Sequence, residues 1–126
     1  MVNLDSGDLE NAQYYAEEAL RLAQSNNEKW VEGNSMVWLG KILGKAKKSQ
    51  NDKAQGNILQ GIKILDELKM RPHCSVGYLF LGELYTDTGQ KKKALETLKE
   101  AEAAFQEMGM DYWLRRTQEV LERVQA

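Results

Sequence analysis

The chain has 126 residues, 29% of them charged and 42% hydrophobic, which is enough apolar material for one packed domain and too much for a disordered segment. Its 17 basic and 19 acidic residues leave a net charge of -2 with the signs evenly spread, so no basic tract exists to hold a nucleic-acid backbone. No apolar run approaches the roughly 20 residues of a membrane span, the acidic start around Asp5, Asp8 and Glu10 is no signal peptide, and a single cysteine, Cys74, excludes an internal disulfide framework and fits a reducing cytosol.

Small and apolar residues recurring at i, i+3, i+4 and i+7 predict six helices, over 8–25, 29–48, 52–69, 73–88, 91–108 and 111–125. The first carries Ala12, Ala16 and Ala19, the second Met36, Leu39, Gly40 and Leu43, and the third Ala54, Ile58, Gly61, Ile62 and Leu65. Pro72 opens the fourth, which carries Tyr78, Leu81, Gly82 and Tyr85 and ends at a turn on Gly89. Ala94, Leu98, Ala101 and Phe105 line the fifth. In the sixth, Gln118, Glu122 and Arg123 stand around the position where earlier helices carry small residues, as a polar cap would require.

These elements repeat. Gly40 and Gly82 stand 42 residues apart, Gly61 and Ala101 stand 40 apart, and the steps from Ala19 to Gly40 and from Gly61 to Gly82 are both 21. Between Gly40 and Ser49 there are two more residues than between Gly82 and Gly89, and Ser49 stands where the turn glycine belongs. Trp30, Pro72 and Tyr112 fall at nearly equivalent places, which predicts that this position packs each corner between units. Small residues let paired helices approach, so Gly82 and Ala94 are expected where bulk would clash, and Gly61 and Ala101 where the next unit's helix lies close.

The run Tyr78, Leu81, Gly82, Tyr85, Gly89, Ala94, Leu98 and Ala101 resembles the tetratricopeptide repeat, with a unit of about 40 residues in place of the usual roughly 34. The resemblance implies an all-α fold, a right-handed superhelical stack of about three antiparallel helical hairpins. The chain then divides into an incomplete first repeat over 1–28, a second over 29–70, a third over 71–110 and a capping helix over 111–126. It also implies a concave face lined by the first helix of each hairpin. The residues on that face would be Asn34, Val37 and Lys41, then Val76, Leu79, Glu83 and Thr86, then Arg116, Glu119 and Arg123, with Val37, Val76 and Leu79 as an apolar floor. Some members of the family clamp a C-terminal carboxylate there with Lys, Asn and Arg; Val37, Val76 and Phe80 occupy the corresponding places, so that specificity is not expected.

No catalytic constellation is apparent. His73 and Cys74 are chain neighbours at a helix start and diverge, and Gly40-Lys41-Ile42-Leu43-Gly44-Lys45 lies within a helix and lacks the hydroxyl residue of a phosphate loop. Most aromatic residues, Trp38 and Phe80 among them, are expected in the core, and Lys45, Lys47, Lys48, Lys53 and Lys91-Lys92-Lys93 on solvated turns. The expectation is a cytoplasmic, non-catalytic scaffold without cofactor or metal, binding a protein or peptide of mixed charge, or another domain of a longer parent chain. The pattern is similar to the repeat arrays that follow cyclase, kinase or ATPase domains in large bacterial and archaeal signalling proteins. The alternative is self-association through the unpaired face of the first helix, which lacks a preceding partner unless Met1-Val2-Asn3-Leu4 folds over it.

Overall fold

A computed structural model describes residues 6–46 and 48–126; the proposed fold-back of Met1 to Leu4 lies outside them, as does Lys47. The described residues form six helices and no strand: α1 (Ser6–Ser25), α2 (Lys29–Ala46), α3 (Asn51–Glu67), α4 (Arg71–Asp87), α5 (Lys91–Met108) and α6 (Asp111–Gln125). All six predicted helices are present, with ends displaced by at most two residues.

Four of the five connections are one device used again. Asn27, Lys69, Gly89 and Gly109 each adopt positive φ, between 60° and 76°. Each of these residues donates its N–H to the carbonyl three back, and the following residue donates to the carbonyl five back, as in Met70 to Leu65 and Met110 to Phe105. This is the Schellman closure, which satisfies the last carbonyls of one helix while the next begins at once. The left-handed residue suits glycine best, and Lys69 occupies it against its own Cβ. The fifth connection differs as the spacing predicts. Ser49 lies inside a 3-10 turn, Lys48–Gln50, that absorbs extra residues without left-handed backbone.

Helix spacing is set by glycines at the crossings. A Cβ on Gly82 would lie 2.5 Å from both Cγ and Cδ2 of Leu98, and one on Gly40 would lie 2.5 Å from Cγ1 of Ile58, so α4 on α5 repeats α2 on α3. Gly61 differs from expectation. Its missing side chain makes room for the Gly33 carbonyl, 2.6 Å from the would-be Cβ, and for Val37, which brings α3 against its own first helix α2. The next unit approaches instead at Gly77, where a Cβ would meet Ile62 Cγ1 at 2.6 Å.

The helix α4 sits at the centre, touching α2, α3, α5 and α6, and buries residues around its whole circumference from Cys74 to Tyr85. Along the array α2 touches α4 and α4 touches α6, whereas α3 and α5 do not meet. The stack is therefore tight on the side of α2, α4 and α6 and open on the other. The corner prediction holds in part: Trp30 meets His73 at the start of α4 edge-on, but the corners are not buried. Trp30 and Tyr112 are the second residues of α2 and α6, outside the packed stretch of each helix, and they remain 49% and 56% exposed.

Substitution of Gly82 by Ala lowers stability by about 1–3 kcal/mol through overpacking against Leu98. Gly56 on α3 has open space around its Cα, and Gly56→Ala raises stability by about 0.5–1 kcal/mol through helix propensity. Urea unfolding of the two variants checks this opposite pair of signs.

Candidate functional site

On the tight side, α2, α4 and α6 present successive rows of side chains at a common register. Asn34, Trp38, Lys41 and Lys45 rise along α2, and Val76, Phe80, Glu83 and Asp87 rise along α4 at a 42-residue offset. Trp38 packs edge-on against Phe80 with ring centroids 4.7 Å apart, and Phe80 meets Trp113 of α6 at 6.2 Å. Trp113 is held in turn by stacking on Phe105 at 6.3 Å. An aromatic row thus crosses three helices, and such edge-to-face contacts favour fixed ring orientations.

Beside this row lies an open groove of about 240 Å³ lined by Asn34, Trp38, Pro72, His73, Val76, Met110 and Trp113. Trp38 is 38% exposed, and Trp113, Val76 and Asn34 are half-buried, so their apolar surfaces are available to a ligand. The imidazole of His73 stands edge-on to Trp30, and its Nδ1 is buried without a hydrogen-bond partner among the described residues.

One turn along, charge alternates between helices. Lys41 Nζ lies 4.1 Å from the Phe80 ring centroid and 3.8 Å from Glu83 Oε1, while Lys45 Nζ reaches Glu83 Oε2 at 3.9 Å and Asp87 Oδ2 at 4.0 Å. Burial pulls the Lys41 ammonium below its ordinary pKa; Glu83 opposes that shift, and the cations of Arg116 and Lys45 add to it. Lysines on α2 face acids at the equivalent positions of α4, so this network fixes the pairing of neighbouring first helices and ends the groove in charge.

The structure brings together Asn34, Lys41, Val76, Glu83 and Arg116 of the expected face. It removes Val37 and Leu79, each only 1% exposed. Val37 is turned toward Gly61 and Gly77, into the space those glycines leave, and Leu79 belongs to the same core. The apolar lining comes instead from Val76, Trp38 and Trp113, and of the two aromatic residues expected in the core Trp38 is 38% exposed while Phe80, 2% exposed, is in the core and backs both tryptophans and Lys41 from beneath. Glu83 is buried in its ion pairs, and Thr86 spends its hydroxyl on the Gly82 carbonyl at 2.8 Å. Glu119 and Arg123 are exposed on α6. Lys45 is exposed, as expected of a solvated lysine, and lies within helix α2 at the rim of the network. The sign reversal between residues 41 and 83, and again between 45 and 87, was the signal in the sequence that could have found this row.

His73 and Cys74 do diverge. Cys74 is buried, its Sγ donates to the Ile62 carbonyl at 3.7 Å, and burial pushes the thiol up to about 11. A larger cavity, about 560 Å³, lies on the opposite side between α3, α4 and α5, lined by Asp66, Lys69, Arg71, Tyr78 and Glu100 among others. It is the gap left where α3 and α5 diverge, and it holds no aromatic row. Among the described residues no three His, Cys, Asp or Glu side chains are grouped as metal ligands, and no helix is long and apolar enough to cross a membrane. No family model matches the chain, and no curated protein matches it significantly.

Glu83→Gln strands Lys41 and costs about 1–3 kcal/mol, whereas Lys41→Met changes stability by less than about 1 kcal/mol because Glu83 keeps Lys45 and a buried cation is removed. Urea unfolding at neutral pH separates the two. At pH 8 the Cys74 thiol is alkylated much more slowly in the folded chain than in urea. The stability that goes with its raised pKa is present below 9.0, the ordinary value, and is lost as pH rises toward 11.

Proposed function

We propose that the chain is a tetratricopeptide-type helical-repeat scaffold that holds a peptide on the face of α2, α4 and α6 and performs no catalysis. The observation that carries this reading is the half-exposed pair Trp38 and Trp113 flanking the groove beside Val76 and Met110, with the Lys41 ammonium over the Phe80 ring behind them. Rigid aromatic walls supply contact area at low entropic cost, and a peptide of about three to five residues fits such a groove by seating one large apolar side chain. The half-buried amide of Asn34, on the groove wall, suits the backbone of that peptide.

Support for a superhelical stack comes from the contact of each first helix with the next while α3 and α5 stay apart. Small rotations of this kind, repeated, produce a concave surface on the tight side. The buried, hydrogen-bonded Cys74 supports the non-catalytic reading, because its thiol is neither exposed nor poised as thiolate.

Panning a random peptide library on the chain tests the proposal. Selected peptides share one aromatic or large aliphatic anchor, and Trp38→Ala weakens their binding at least tenfold by tryptophan-fluorescence titration at unchanged helicity. Arg116→Glu weakens those that carry an acid beside the anchor. Peptides whose affinity ignores both substitutions overturn the assignment of this face.

A further inference from the structure

The helix α1 occupies the register of a second helix. At an offset of 42 residues its Ala12, Ala16, Ala19 and Ala23 correspond to Ala54, Ile58, Gly61 and Leu65 of α3, and at a further 40 to Ala94, Leu98, Ala101 and Phe105 of α5. All eight residues on α3 and α5 are buried, because α2 covers one set and α4 the other. Among the described residues only Ala23 of α1 is buried, and α1 touches α2 alone. Half-buried Ala12 and Ala19 form a continuous stripe with Tyr15, 70% exposed, and Leu22, 49% exposed. At Ala12 and Ala19 the fold therefore shows twice, within itself, a position that a neighbouring helix covers.

The structure assigns this stripe to a second copy of the chain, packed as an antiparallel, two-fold pair of α1 helices. Three observations select that occupant. Spaced at i, i+3, i+7 and i+10, the stripe is a two-helix seam. It alternates small and large, so an antiparallel mate sets Ala12 against Leu22 of the second copy and Tyr15 against its Ala19, a large side chain meeting a small one at each of the four contacts. A parallel mate would set Tyr15 on Tyr15 and leave Ala19 on Ala19, over-filled at one level and empty at the next. The other end of the array cannot serve as the mate. On α6 the equivalent face carries Arg115, Gln118 and Glu122, all exposed and polar, so head-to-tail stacking would bury unpaired charge against alanine. An isologous contact closes at two copies, whereas a head-to-tail one would not.

The seam is separate from the peptide groove, since α1 meets neither α4 nor α6, and either reading stands or fails without the other. Sedimentation equilibrium of the full chain is the test. The chain behaves as a reversible dimer, and Tyr15→Glu, at an exposed position that folding does not need, raises the dissociation constant at least tenfold with unchanged circular dichroism. In a Cys74→Ala background, a mixture of Tyr15→Cys and Ala19→Cys chains yields the mixed disulfide dimer, faster than either variant yields its own. A monomer at every concentration, assembly that continues past the dimer, a dimer indifferent to Tyr15→Glu, or preferred Ala19→Cys self-linkage overturns the proposal.

Discussion

Close approach of helices at Gly82 and Gly40 is the constraint on which the rest of the structure depends. With a Cβ there, Leu98 and Ile58 would have to withdraw, and the two helices of each hairpin would separate by the width of that displacement. Separation would pull α5 from α4 and undo the burial of Phe105 and Leu98, both fully inaccessible. Because α4 also carries Phe80 and Glu83, the same movement would misplace the aromatic row and the ion network. Fold and candidate site are thus held by one set of crossings.

The charged network adds specificity more than stability. Exposed ion pairs contribute little, and buried ones give back much of their Coulomb energy as desolvation. Lys41 is mostly buried, so its charge is tolerable only where Glu83 and the Phe80 ring face it. Sliding α2 along α4 by one turn would leave either Lys41 or Glu83 without its partner, depending on the direction. The network therefore fixes the register in which Trp38 and Trp113 flank the groove.

Much of this was legible in the sequence. The 42-residue step located α2 through α5 and the small residues at their crossings. The extra residues before Ser49 foretold a turn of another kind. What escaped was rotation of the helices about their own axes. Val37 and Trp38, or Leu79 and Phe80, are adjacent apolar residues, and a periodicity that accepts either as core does not decide which one faces the neighbour. The decision rests with Gly61 and Gly77, whose empty space admits Val37 and so turns Trp38 outward; that is a contact among three helices, invisible in any one of them. Pairing of Lys41 with Glu83 was likewise hidden until the repeat offset was applied to charge as well as to small residues.

Helix rotation is measured most directly by the pattern of nuclear Overhauser contacts among the aromatic rings of the chain in solution. Contacts are expected from Phe80 to both Trp38 and Trp113, together with contacts from Val37 methyls to the Gly61 and Gly77 α-protons. If Val37 and Leu79 were to face one another across the surface while Trp38 lay in contact with Gly61, the helices would be rotated from the arrangement described, and the face assigned to the peptide would not exist.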